Sequence, residues 1–180
     1  PFLFDMRGFY ADERIDGKIW NKNNPIHRII YAFFKYNEKK FLQNAKHTVS
    51  LTKSGKKEIS SWNLKNQSLI SVIPCCTDEE LFNEKNITNI RKQIGIEKED
   101  FIISYVGSTG TWYMLDEMLD FFSLLLQKKS NAKFLFITKD SPNEILTRVN
   151  KKHISRSSII IKSSSREMMP SHIGLSNFSI

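Results

Sequence analysis

Glycine and proline are scarce, with seven Gly and five Pro in 180 residues, which excludes a collagen-like or low-complexity chain. No apolar run approaches the ~18 residues that a membrane-spanning helix requires. Cysteine is limited to Cys75 and Cys76, whose adjacency excludes a disulfide framework and does not fit metal-ligand spacing. A reducing compartment follows, and the pair is expected to be small and buried. His27, His47, His153 and His172 are scattered without ligand spacing, so no metal site is expected. The amino end has neither Met nor a basic-then-apolar leader, so the chain is expected to begin mid-protein. What is present, 40% hydrophobic and 12% aromatic residues, suffices for a soluble globular domain or two small ones.

The net charge of +8 is unevenly spread. Residues 1–74 carry 13 Lys and Arg against 6 Asp and Glu, whereas residues 75–180 carry 14 against 13. An anionic partner should therefore meet the first segment, mainly through residues 18–65.

Residues 1–5 read as a buried strand delivering Asp5 and Arg7 to its carboxyl end, and residues 7–24 as a polar connection. Asn24 before Pro25 is an N-cap with proline at the first helical position. The helix that follows has Ile26, Ile29, Ile30, Phe33, Phe34, Phe41, Leu42 and Ala45 as an apolar stripe expected to face inward. Residues 47–52 predict a strand with Val49 and Leu51 inside, residues 57–62 a short helix, and residues 68–73 a third strand stopped by Pro74. Pro74-Cys75-Cys76 is the expected domain junction. A capping box at residues 77–80 and a periodic stretch at 87–94, closed by Gly95, predict two short helices. Strand 101–106, the loop Gly107-Ser-Thr-Gly-Thr111 and a helix over 112–127 begin a βαβ unit. Strand 133–137, a capped helix over 141–152, strand 158–162 and a final helix and strand within 166–180 continue the alternation. This order predicts an α/β fold with parallel sheets.

Three segments, Phe4-Asp-Met-Arg-Gly-Phe-Tyr-Ala-Asp-Glu-Arg14, Ile73-Pro-Cys-Cys-Thr-Asp78 with Phe82, and Ile103-Ser-Tyr-Val-Gly-Ser-Thr-Gly-Thr-Trp-Tyr113, together resemble the group 1 (family 4) glycosyltransferases. The resemblance implies two partial Rossmann-like domains of the GT-B type: residues 1–74 ending an acceptor domain and residues 75–180 beginning a nucleotide-sugar donor domain. It also implies a retaining transfer of sugar from a nucleotide-diphosphate donor to a saccharide or lipid-linked acceptor in cell-surface polysaccharide or lipopolysaccharide assembly. The donor would be a substrate, and no cofactor or essential metal is implied. The implied location is cytoplasmic; residues 18–65 either make peripheral contact with an anionic membrane at its inner face or form a solvated charged face. The family's Glu-x7-Glu donor motif does not occur in these residues, so the chain alone is expected to be inactive.

Asp5, Arg7, Asp12 and Glu13 lie at and after a strand's carboxyl end, where open α/β sheets bind ligands. A carboxylate there could orient or deprotonate an acceptor hydroxyl and Arg7 could hold phosphate charge; the alternative is a polar network that only fixes the loop. Gly107, Ser108, Thr109, Gly110 and Thr111 either cradle a diphosphate at a helix start or form an ordinary βα turn. Lys139 either contacts the nucleotide or is a solvated lysine. A second functional class, a basic α/β module contacting nucleic acid or another polyanion, lacks a reading motif, and no nucleic acid partner is expected.

Overall fold

The computed structural model describes residues 2–110 and 113–180. The chain forms two compact units, one ending at Cys76 and the next starting at Thr77.

In the first unit, β1 (Leu3–Met6), β2 (His47–Ser50) and β3 (Leu69–Val72) form a parallel sheet in that order. Helices α1 (Tyr10–Asp16), α2 (Pro25–Asn44) and α3 (Lys53–Ser61) connect them. The Asn24 side chain accepts the Ile26 N–H at 2.9 Å and Thr52 accepts that of Gly55 at 2.9 Å, so α2 and α3 start at side-chain caps. Helix α1 occupies the segment expected to be a polar connection; it has no side-chain cap and is held by buried Ala11 and by Tyr10, whose ring lies 4.9 Å from that of Phe34.

Two expectations are overturned here. Of the expected stripe only Leu42 and Ala45 are buried; Tyr31, Lys35 and Glu38 share the inward face with Leu42, while Ile26, Ile29, Phe33 and Tyr36 stand outward, 66%, 71%, 62% and 65% exposed. The ion-paired Lys35 can occupy the inner face because its charge is met there by carboxylates. In β2, Thr48 and Ser50 are the buried side chains rather than Val49 and Leu51. Thr48 bonds Ser68 at 2.6 Å and Ser50 bonds the Thr52 carbonyl at 3.2 Å, which makes their burial tolerable. The apolar centre is small, comprising Met6, Leu42 and Ile59 with partly buried neighbours.

In the second unit, β4 (Phe101–Val106), β5 (Ala132–Ile137), β6 (Ile159–Lys162) and β7 (Phe178–Ser179) form a parallel sheet ordered β6-β5-β4-β7. Helices α4 (Leu115–Lys128), α5 (Pro142–Lys151) and α6 (Met169–Ile173) join them. Phe134 and Phe136 enter one core with Phe122, and Leu135 and Ile137 enter another with Ile102 and Ile90. Both faces of β5 are thus covered, which explains its unbroken apolar run.

Residues 79–82 make a turn, not the expected helix. Asp78 rather than Thr77 supplies the cap, accepting the Leu81 N–H at 3.2 Å, and Asn86 donates to the Glu80 carbonyl at 2.7 Å. Such side-chain bonds to backbone compete with helix formation. The stretch 87–94 yields only a 3-10 turn at Lys92–Ile94, because Ile90 and Ile96 are drawn into the core; Gly95 ends it at φ +76°, as expected of a C-cap. Cys75 and Cys76 are exposed thiols, contrary to the expected burial.

Candidate functional site

In the first unit, β1 delivers Asp5 and Arg7 to the mouth of a cavity of about 730 Å³, whose lining also includes Gly8, Glu13 and Glu38. Arg7 Nε donates to Asp5 Oδ2 at 3.0 Å in an exposed pair. A Cβ on Gly8 would fall 2.0 Å from Glu13 Oε1, so the missing side chain lets the Glu13 carboxylate settle on the loop. Aromatic residues Phe4, Tyr10, Phe33, Phe34 and Phe41 form the apolar wall.

Asp12 does not join this group. Its carboxylate accepts the Tyr31 hydroxyl at 2.7 Å and Lys35 Nζ at 2.9 Å. Burial alone would raise its pKa, but the bonds from Lys35 and Tyr31 hold it below the ordinary carboxylate value. Lys35 also donates to Glu38 at 2.6 Å and lies 4.3 Å from the Trp62 ring centroid. Glu38 is buried, which pushes its pKa up against the opposing pull of Lys35. Asp12 is thus held by Tyr31 and Lys35, apart from Asp5 and Arg7, and it lines a second cavity with Glu13 and Trp62. Glu38 was missed; its signal was a lone acid in a Lys-rich helix, three residues after Lys35 and four before Leu42.

In the second unit, the strand order reverses about β4: β5 and β6 extend the sheet on one side and β7 is added on the other. The loop after β4 is therefore at the topological switch point, where open α/β sheets receive ligands. Gly107 has φ +151°, and a Cβ there would meet the Tyr105 hydroxyl at 2.9 Å, so this position requires glycine. Gly110 faces only ordinary contact.

The loop's donors converge on a carboxylate. Asp140 Oδ2 accepts Ser108 Oγ at 2.6 Å, the Thr109 N–H at 2.6 Å and Thr109 Oγ1 at 3.3 Å. Chiefly the Ser108 bond, with the Thr109 N–H, lowers the Asp140 pKa. Ser108 and Thr109, expected to be open to phosphate, are thus engaged by a carboxylate from the end of β5. Sequence reasoning passed over Asp140, although an acid in the loop just after β5 was the available signal. Exposed Lys139 lies with Ser108 and Asp140 around a cavity of about 260 Å³. Thr111 lies outside the described residues. Helix α4 begins at Leu115, later than expected, with Met114 left-handed at φ +50° before it, so its N-terminus does not directly follow Gly110. Arg166 pairs with Asp78 at 3.3 Å.

Among the described residues, no cluster of three or more His, Cys, Asp or Glu could hold a metal ion, and no helix is long and apolar enough to cross a membrane.

No family model and no curated protein matches the chain. Solved structures do match. Anabaena Alr3699/HepE, in complex with UDP and glucose, aligns over 99% of this chain and 45% of its own at 10% identity and a TM-score of 0.66. A mutant of S. aureus TarM, in complex with fondaparinux, α-GlcNAc-glycerol and UDP, aligns over 74% and 24% respectively at 13% identity, TM-score 0.53. A further TarM structure aligns over 81% and 26% at 13% identity, TM-score 0.53. The chain spans less than half the length of each. At these identities the likeness shows the fold, which is α/β, Rossmann-like and of the GT-B type.

Proposed function

We propose that the chain is part of a glycosyltransferase that moves a sugar from a nucleotide-diphosphate donor to an acceptor hydroxyl. The observation that carries this reading is the switch-point loop Gly107–Gly110, which already receives an anion, the Asp140 carboxylate, through a backbone N–H and two hydroxyls. A donor diphosphate has the same requirement for donors at a strand's carboxyl end. The similar folds of HepE and TarM, each crystallised with UDP, support a uridine nucleotide.

In this reading the second unit opens the donor-binding domain and the first closes the acceptor domain. Arg7 meets phosphate charge, and Asp5 and Glu13 orient the acceptor hydroxyl at the 730 Å³ cavity. The transfer retains anomeric configuration, needs no metal, and serves cell-surface polysaccharide or lipopolysaccharide assembly on the cytoplasmic side. The basic first unit meets an anionic membrane that presents the acceptor.

Calorimetric titration with UDP, ADP and GDP tests the donor half. Saturable binding of a nucleoside diphosphate is expected, with UDP tightest; no binding of any of them would overturn the reading.

A further inference from the structure

Beside the amino-terminal end of α2 lies a cavity of about 630 Å³ that none of the catalytic candidates lines. Lys22, His27 and Arg28 contribute its polar side chains, Ile15, Ile29 and Ala32 contribute apolar wall, and none of the described acidic residues lines it. His27 Nδ1 accepts the Asn21 N–H at 2.9 Å, which leaves its Nε2 as the ring's remaining polar atom. Ile29 belongs both to this cavity and to the outward stripe Ile26–Ile29–Phe33–Tyr36, which runs about 15 Å along the helix. Arg28, Lys39 and Lys40 are the charged residues exposed on α2; its one acid, Glu38, is buried against Lys35.

We infer that this surface docks on an anionic phospholipid bilayer, with a headgroup phosphate in the Lys22–His27–Arg28 cavity and the stripe entering the interface. The inference rests on the membrane contact proposed above; Phe33 of the stripe also walls the 730 Å³ cavity, so the stripe variant below leaves Phe33 unchanged. Cations alone would suit any polyanion. Four large side chains exposed in one row beside them fit a ligand with both a phosphate and an apolar layer. Of the four, Phe33 and Tyr36 have a face on which a nucleobase could stack, but Ile29, which lines the cation cavity, and Ile26 have none, so an apolar layer is favoured over nucleic acid next to the cations.

Flotation of the 180-residue protein tests this, using vesicles of phosphatidylcholine alone or mixed with phosphatidylglycerol, and glycerol phosphate as a soluble probe. The protein is expected to float with the mixed vesicles and not with phosphatidylcholine. Lys22→Gln/Arg28→Gln is expected to weaken that binding about thirtyfold, as for two cations near an anionic surface. Ile26→Ser/Tyr36→Ser, altering only exposed positions, is expected to abolish flotation while leaving the circular dichroism spectrum unchanged. Unchanged flotation of the cation variant would overturn the headgroup cavity while the membrane contact stands. No flotation with any vesicle would overturn both. Tight glycerol phosphate binding unaffected by the stripe variant would make the cavity a free-phosphate site, and RNA binding lost in the cation variant without flotation would assign the surface to nucleic acid; either result overturns the inference.

Discussion

The two units carry parallel sheets of the same kind but stabilise them differently. In the second, β5 is buried on both faces among Phe122, Phe134, Phe136, Leu135 and Ile137. In the first, Leu3 and Leu69 remain 63% and 76% exposed, and the inner face of α2 relies on Lys35 between two carboxylates. The contrast teaches that an apolar core fixes the second unit's sheet, with the polar groups of its glycine loop bound to Asp140 outside that core, whereas the first unit places charged side chains within its own packing.

The largest break in that comparison comes from Phe134→Ala, which should cost the second unit about 3–5 kcal/mol, read by hydrogen exchange of β4 and β5 amides. Exchange in β1 and β2 should barely change; equal loss in both units would erase the distinction. Next, Lys35→Met leaves Asp12 and Glu38 without their cation and should cost the first unit about 1–3 kcal/mol, read by exchange in α2. Asp140→Ala frees Ser108 and the Thr109 N–H and removes a like charge, so UDP should bind about tenfold tighter, a gain of about 1.4 kcal/mol. Weaker binding would show that Asp140 shapes the site instead.

The smallest effect is on pH. Asp12, with a lowered pKa, contributes stability above its unfolded pKa that is lost as pH falls through the folded value. Glu38, with a raised pKa, contributes in the opposite sense: full below its unfolded pKa and lost as pH rises through the folded one. The first unit should show a shallow stability maximum in the acidic range; Asp12→Asn should flatten the low-pH limb and Glu38→Gln the other, measured by urea unfolding across pH.

Strands were the most legible elements, because runs such as 101–106 and 133–137 are mostly apolar, interrupted only by Ser104 and by Lys133 at one end, as a buried parallel strand requires. Helix α2 was legible in its limits, where Asn24 and Pro25 mark the start, but not in its orientation. Periodicity places Ile26, Ile29 and Phe33 on one side without saying which side meets the sheet, and Lys35 reversed the choice by finding Asp12 and Glu38. The capping box at 77–80 failed for a local reason, since Asn83 and Asn86 take backbone carbonyls that a helix would have used. At the sites, strand ends located Asp5, Arg7 and the glycine loop. The partners Tyr31 and Asp140, 19 and 31 residues from the groups they bind, could emerge only from the fold.

The most direct measurement is a UDP titration of the ¹⁵N-labelled chain followed at individual amides. The account predicts saturable shifts centred on Gly107, Ser108 and Thr109, with the Thr109 amide moving most as its bond to Asp140 is exchanged for one to phosphate. Saturable binding that leaves these three amides unmoved, or no binding at all, would contradict it.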